Sequence, residues 1–188
     1  MAILKIARIG HPYLRKKSVE IEDPTAPEIR ELVANMVDTL ADAGGVGLAA
    51  PQVHEMLRLV IFFVPLASEA ADRYHDAGLE DDDEEIALTV LVNPVIEAIG
   101  NETEAAYEGC LSIPHMTGEV RRPRHIRYRG LDLDGNVIER EAEGFHARVV
   151  QHECDHLDGI LYPQRMDDMS TFGYSDEVQK DDDLPESK

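Results

Sequence analysis

From Ile29 to Leu40, apolar side chains (Ile29, Leu32, Val33, Met36, Val37, Leu40) return at three- and four-residue steps, which places them on one face of a helix of about four turns. Asp23-Pro24-Thr25-Ala26-Pro27 supplies start signals and Gly44-Gly45 the stop, because glycine accepts the left-handed conformation that ends many helices. The period then changes. Arg58 to Val64 (RLVIFFV) is an apolar run that predicts a buried strand, and Leu88 to Ile99 predicts a second one, broken at Asn93-Pro94. Between them, residues 67–87 are rich in Ala, Asp and Glu with little period, which predicts a surface loop. Ala105 to Glu108 predicts a short strand, and Val120 to Asp132 and Val137 to Glu143 flank Asp134-Gly135-Asn136, a hairpin signal. A helical period resumes at Gly144, with Phe145, Val149, His152 and His156 on one side, and stops near Gly159. The opening Ile3 to Ile9, mixed apolar and basic and interrupted by Gly10-His11-Pro12, predicts a short edge segment that crosses the surface and packs against it.

Strands that follow one another with few helices between them favour antiparallel pairing over a doubly wound arrangement. The expected fold is α+β, with antiparallel or mixed sheets packed around a central helix, the one that carries His152 and His156. We expect one domain over residues 1–174 and an acidic, disordered tail over 175–188 that ends KDDDLPESK.

A chain of 188 residues with 43% hydrophobic composition can bury a core without metal or disulfide staples. A metal site in it therefore points to chemistry. The 18 basic against 38 acidic residues give a net charge of −20, which excludes binding to a nucleic-acid backbone. Glu80 to Glu85 (EDDDEE) and residues 176–188 carry half of that charge and read as solvated acidic stretches. No apolar run reaches the roughly 18 residues of a membrane span, and no secretory signal opens the chain. We expect a cytoplasmic protein with no membrane partner, in which the two cysteines, Cys110 and Cys154, stay reduced.

The chemistry gathers at Gln151-His152-Glu153-Cys154-Asp155-His156. At 100° per residue, His152 and His156 share a helix face with Glu153 at its edge: a divalent-metal grip with a base beside it. A hydrolytic metal usually takes three protein ligands. Cys154 points about 200° from His152, whereas Cys110, in the glycine-adjacent Gly109-Cys110-Leu111-Ser112, can approach from outside the helix as a thiolate, so it is the better third ligand. Cys154 reads as a small buried hydrophobe. Asp155 reads either as a solvated helix residue or as an acceptor for a ring N–H. In Gly45-Val46-Gly47-Leu48-Ala49-Ala50-Pro51-Gln52 the small residues permit close backbone approach, and the amide of Gln52 is the functional side chain.

Three blocks, GVGLAAPQ (45–52), EGCLS (108–112) and QHECDH (151–156), together resemble the signature motifs of the bacterial-type peptide deformylases, in the same order and at compatible separations. The resemblance implies removal of the formyl group from the initiator N-formylmethionine of nascent polypeptides, with release of formate. It implies Cys110, His152 and His156 as metal ligands, Fe²⁺ as the usual ion with Zn²⁺ or Ni²⁺ as substitutes, Glu153 as general base and acid, and Gln52 with the backbone N–H of Leu111 as the oxyanion donors. The partners it implies are N-formylmethionyl nascent peptides and, transiently, the ribosome. The segments Gly45-Val46-Gly47 and Glu108-Gly109 suit an extended peptide pairing through its backbone, and Val46, Phe145 and Val149 are candidates for a methionine pocket.

The match departs from the family pattern in three places. Cys154 replaces an aliphatic residue, His54 replaces a glycine after the Gln-Val pair, and Thr117 stands where many relatives carry an arginine that Arg121 or Arg122 would have to replace. Two other readings compete. A His-Glu-x-x-His zinc peptidase needs its third ligand downstream, where only Glu177 and Glu186 remain. A non-enzymatic metal-binding protein would show a closed set of four ligands.

Overall fold

The computed structural model describes residues 2–80 and 83–178. Helix α1 spans Pro27–Ala43, with Pro27 in its first turn, where a missing N–H is harmless. It ends at Gly44, whose φ of 68° lets its N–H return to the carbonyl of Leu40. Strand β1 (Gly47–Ala49) follows at once and pairs with β2 (Leu59–Val64), which continues to β3 (Ile86–Ala98). Strands β6 (His125–Leu131) and β7 (Val137–Glu143) complete a five-stranded sheet in the order β1-β2-β3-β6-β7. Strands β4 (Thr103–Cys110), β5 (Ile113–Pro123) and β8 (Gly173–Tyr174) form a three-stranded sheet. Every pairing within these sheets is antiparallel.

The alternation of β2 explains its unbroken apolar run. Val60, Phe62 and Val64 face a core shared with the long helix α3 (Gly144–Leu157), while Leu59 and Ile61 face the core under α1. Both faces of the sheet are covered at β2, and each such side chain contributes about 1.5–3 kcal/mol by leaving water. The break expected at Asn93-Pro94 is a bulge. Asn93 takes a φ of 51°, the register with β6 shifts between Val92 and Val95, and the Asn93 side chain bonds the backbone of Ile21.

Two expectations need correction. Val120 to Asp132 is not one strand: the chain leaves the small sheet after Pro123 and enters the large one at His125. Proline has no N–H to extend a ladder, and Arg124 instead donates to Glu102. Nor is 67–87 a loop. It begins with helix α2 (Ala67–Tyr74), which turns Ala70 and Tyr74, four residues apart, onto the core, where Tyr74 meets Phe145 with ring centroids 5.5 Å apart. Of the acidic stretch 80–85, Asp81 and Asp82 lie outside the described residues. The expected tail opens with a helical turn, α4 (Ser175–Val178), and the remainder, 179–188, lies outside the described residues. No helix among the described residues is long and apolar enough to cross a membrane.

Candidate metal centre

Helix α3 lies against the large sheet and buries twelve of its fourteen residues. Polar groups on such a helix must find partners within the protein. His152 and His156, one turn apart, bring their ring centroids to 5.0 Å. Cys110 arrives at the end of β4, where a register shift after Gly109 turns the strand. One ligand atom from each of Cys110, His152 and His156 lies within 4.8 Å of the others, and Cys110 Sγ is 3.4 Å from His156 Nε2. A thiolate with two imidazoles suits a transition metal and not Mg²⁺ or Ca²⁺.

His152 Nδ1 lies 2.8 Å from Glu108 Oε2. The proton on that nitrogen leaves Nε2 free as a ligand. Glu108 is itself gripped by two buried arginines, Arg122 through a two-point contact and Arg148 at 2.9 Å. Burial alone would raise the Glu108 carboxyl, but hydrogen bonds from Arg122 and His152 outweigh it and hold the group well below the usual carboxylate range. The Glu108 side chain points into the protein, 4% exposed, so any contact of this residue with an extended peptide would be through its backbone. Its carbonyl accepts from the Thr117 hydroxyl.

Arg122 continues to Asp155 at 2.9 Å, and Arg165 closes on the same carboxylate at 2.6 Å. Asp155 is thus neither solvated nor an acceptor for a ring N–H; it anchors two guanidinium groups. Of the two arginines considered for support, Arg122 lies in this network, while Arg121 is at the surface beside Asp167. Arg148 was missed. It stands one turn before His152 and so on the metal face, and it also bonds the carbonyls of Val120 and Glu104. Tyr162, stacked on the His152 ring at 6.2 Å, had no signal in the sequence.

Glu153 is 5% exposed and its Oε2 has no partner. Burial pushes its carboxyl up to about 7, with the charge of His152 opposing and that of Glu108 adding. A Cβ on Gly47 would overlap the Glu153 carboxylate, so β1 can pass this close only as glycine. Gln52 is 1% exposed. Its Oε1 accepts from Ala49 N at 2.8 Å, which turns Nε2 toward Ser112 Oγ (3.2 Å) and Cys110 Sγ (3.6 Å). The Leu111 side chain packs beside Gly45, where a Cβ would meet it at 3.0 Å. Val46, Phe145 and Val149 share one apolar cluster with Tyr74. Cys154 is a buried free thiol, raised by burial, and stands outside the ligand trio.

Residues 3–172 match the family profile described as polypeptide deformylase. The chain belongs to this deformylase family. It is 51% identical to peptide deformylase 1 of Bordetella pertussis over 171 residues, 91% of this chain and 92% of that one. A class I type b peptide deformylase from Acinetobacter baumannii superposes with a TM-score of 0.77 at 32% identity, covering 88% of this chain and 100% of that one. The same enzyme with Met-Ala-Ser bound gives a TM-score of 0.76 at 32% identity over 88% and 99% of the two chains. Deformylases are metal-dependent hydrolases that remove the N-formyl group from nascent polypeptides. A purely structural metal protein is thereby set aside, and the Cys110 position separates this deformylase site from a peptidase that draws its third ligand from downstream of its motif.

Proposed function

We propose that this chain removes formyl groups from nascent N-formylmethionyl peptides through Cys110, His152 and His156 as ligands of Fe²⁺, with Zn²⁺ or Ni²⁺ as substitutes. The observation that carries the reading is the buried, unpartnered carboxyl of Glu153 beside that ligand trio. The cation supplies Lewis acidity and brings water into a range where it ionises near neutral pH. Glu153 takes the proton from the attacking water and returns it to the leaving nitrogen. Charge that develops on the formyl oxygen meets Gln52 Nε2 and the Leu111 N–H, and each such donor is worth about 100- to 1,000-fold in rate.

Strands β1 and β4 close the ends of their sheets among the described residues. The segment Gly45-Val46-Gly47 leading into β1 and Gly109 in β4 suit an extended peptide read through its backbone, and Val46, Phe145 and Val149 receive the methionine side chain. Residues 1–174 act as one catalytic unit in the cytoplasm, which meets its substrate transiently at the ribosome. The test is formate release by the Fe²⁺-loaded protein without oxygen, since a thiolate beside Fe²⁺ oxidises readily. Formyl-Met peptides are expected to be cleaved and acetyl-Met peptides spared. Equal cleavage of both, or of neither, refutes the reading.

A further inference from the structure

The N-terminal segment is pinned to the two blocks that frame the proposed oxyanion donors. Ala7 N donates to the carbonyl of Gln52 at 2.7 Å, and Ile9 N to that of Ser112 at 2.8 Å. Alongside runs a cleft of about 690 Å³ whose lining joins Leu111 to Lys5, Arg8, His11 and His54, with Asp42 as the opposing acid. That volume lies within the roughly 300–1,000 Å³ of ligand-binding clefts.

Its charge runs against that of the chain. The lining carries Lys5 and Arg8 against the single acid Asp42, and among the described residues no carboxylate forms an ion pair with either cation. His54 holds a left-handed backbone at a φ of 71°, where glycine would be unstrained, and its ring meets that of His11 edge-on at 4.7 Å. Two cations without an ion-pair partner among the described residues and two imidazoles thus border a cleft that continues from Leu111, in a protein of charge −20.

We infer that this cleft receives the peptide downstream of the formylated methionine and favours acidic side chains there, an inference that rests on the deformylase reading above. The probes are formyl-Met-Ala-Asp-Asp-amide and formyl-Met-Ala-Lys-Lys-amide, given to the Fe²⁺-loaded full chain. At low salt the acidic peptide is expected to have a kcat/KM about five- to tenfold higher, mainly through KM, with the difference shrinking as salt rises. The Lys5→Glu/Arg8→Glu double variant, altered at two exposed side chains, is expected to reverse the order. His54→Gly is expected to weaken the preference with no loss of thermal stability. Equal kcat/KM for the two peptides in the wild-type protein, or a preference that survives the charge reversal, overturns the inference. If neither peptide releases formate while the metal is bound, the deformylase reading itself falls.

Discussion

Glu108 Oε2 stands 2.8 Å from His152 Nδ1, and the same carboxylate is shared by Arg122 and Arg148. The acid thus fixes the orientation and tautomer of the His152 ring, a proposed metal ligand, while its own charge is balanced by two cations. Glu108→Gln keeps the shape and removes the charge. It is expected to weaken metal binding about 10- to 100-fold, read by competition with a chelator. Unchanged affinity would show that the contact orients nothing.

Gly47 and Glu153 give a paired prediction. Glu153→Gln removes the proton carrier and is expected to lower formate release at least about 100-fold while metal content stays at one equivalent. Gly47→Ala keeps the carboxyl but pushes it aside, so it should also lower kcat with metal retained. Full activity in Gly47→Ala would mean that the carboxylate has room to move without consequence.

The two cysteines separate cleanly. Cys110→Ala is expected to lose the metal in elemental analysis. Cys154→Ala keeps it, and costs about 1–2 kcal/mol of stability from a small cavity among buried neighbours. The reverse pattern of metal content would refute the ligand assignment.

His146 supplies a pH signature away from the metal. Burial, with repulsion from Arg140 added, lowers its imidazole from 6.5 to about 4. Below pH 6.5 the unfolded chain takes up this proton while the native state does not until about pH 4, so stability is fully present above 6.5 and falls between those values. Metal-stripped wild-type protein should therefore lose about 2 kcal/mol more than His146→Gln between pH 7 and pH 4.5 in urea unfolding. Parallel curves for the two proteins would rule this out.

The two long helices were legible because their apolar stripes are strict, and β2 because both of its faces are apolar. The clustering of Cys110, His152 and His156 was legible because these are the residue types that a soft divalent ion demands. What could not be read depended on distant partners. The sequence marks Glu108 only by its backbone place beside Gly109, and only the fold reveals that its side chain faces His152 and two arginines. The pair Ala70 and Tyr74 was masked by the acidic composition around it. The strand that became β5 and β6 reads as continuous because proline is tolerated at strand ends, and nothing local says that the next residue joins another sheet.

Cys110 belongs to the small sheet, while His152 and His156 sit on the helix packed against the large one, so the ligand set spans a seam. Arg148 and Arg122 cross the same seam through hydrogen bonds that involve protein atoms alone. Any opening of that seam would therefore carry Cys110 away from His152 and His156 together with the arginine contacts, so the three side chains stay together only while the two sheets do.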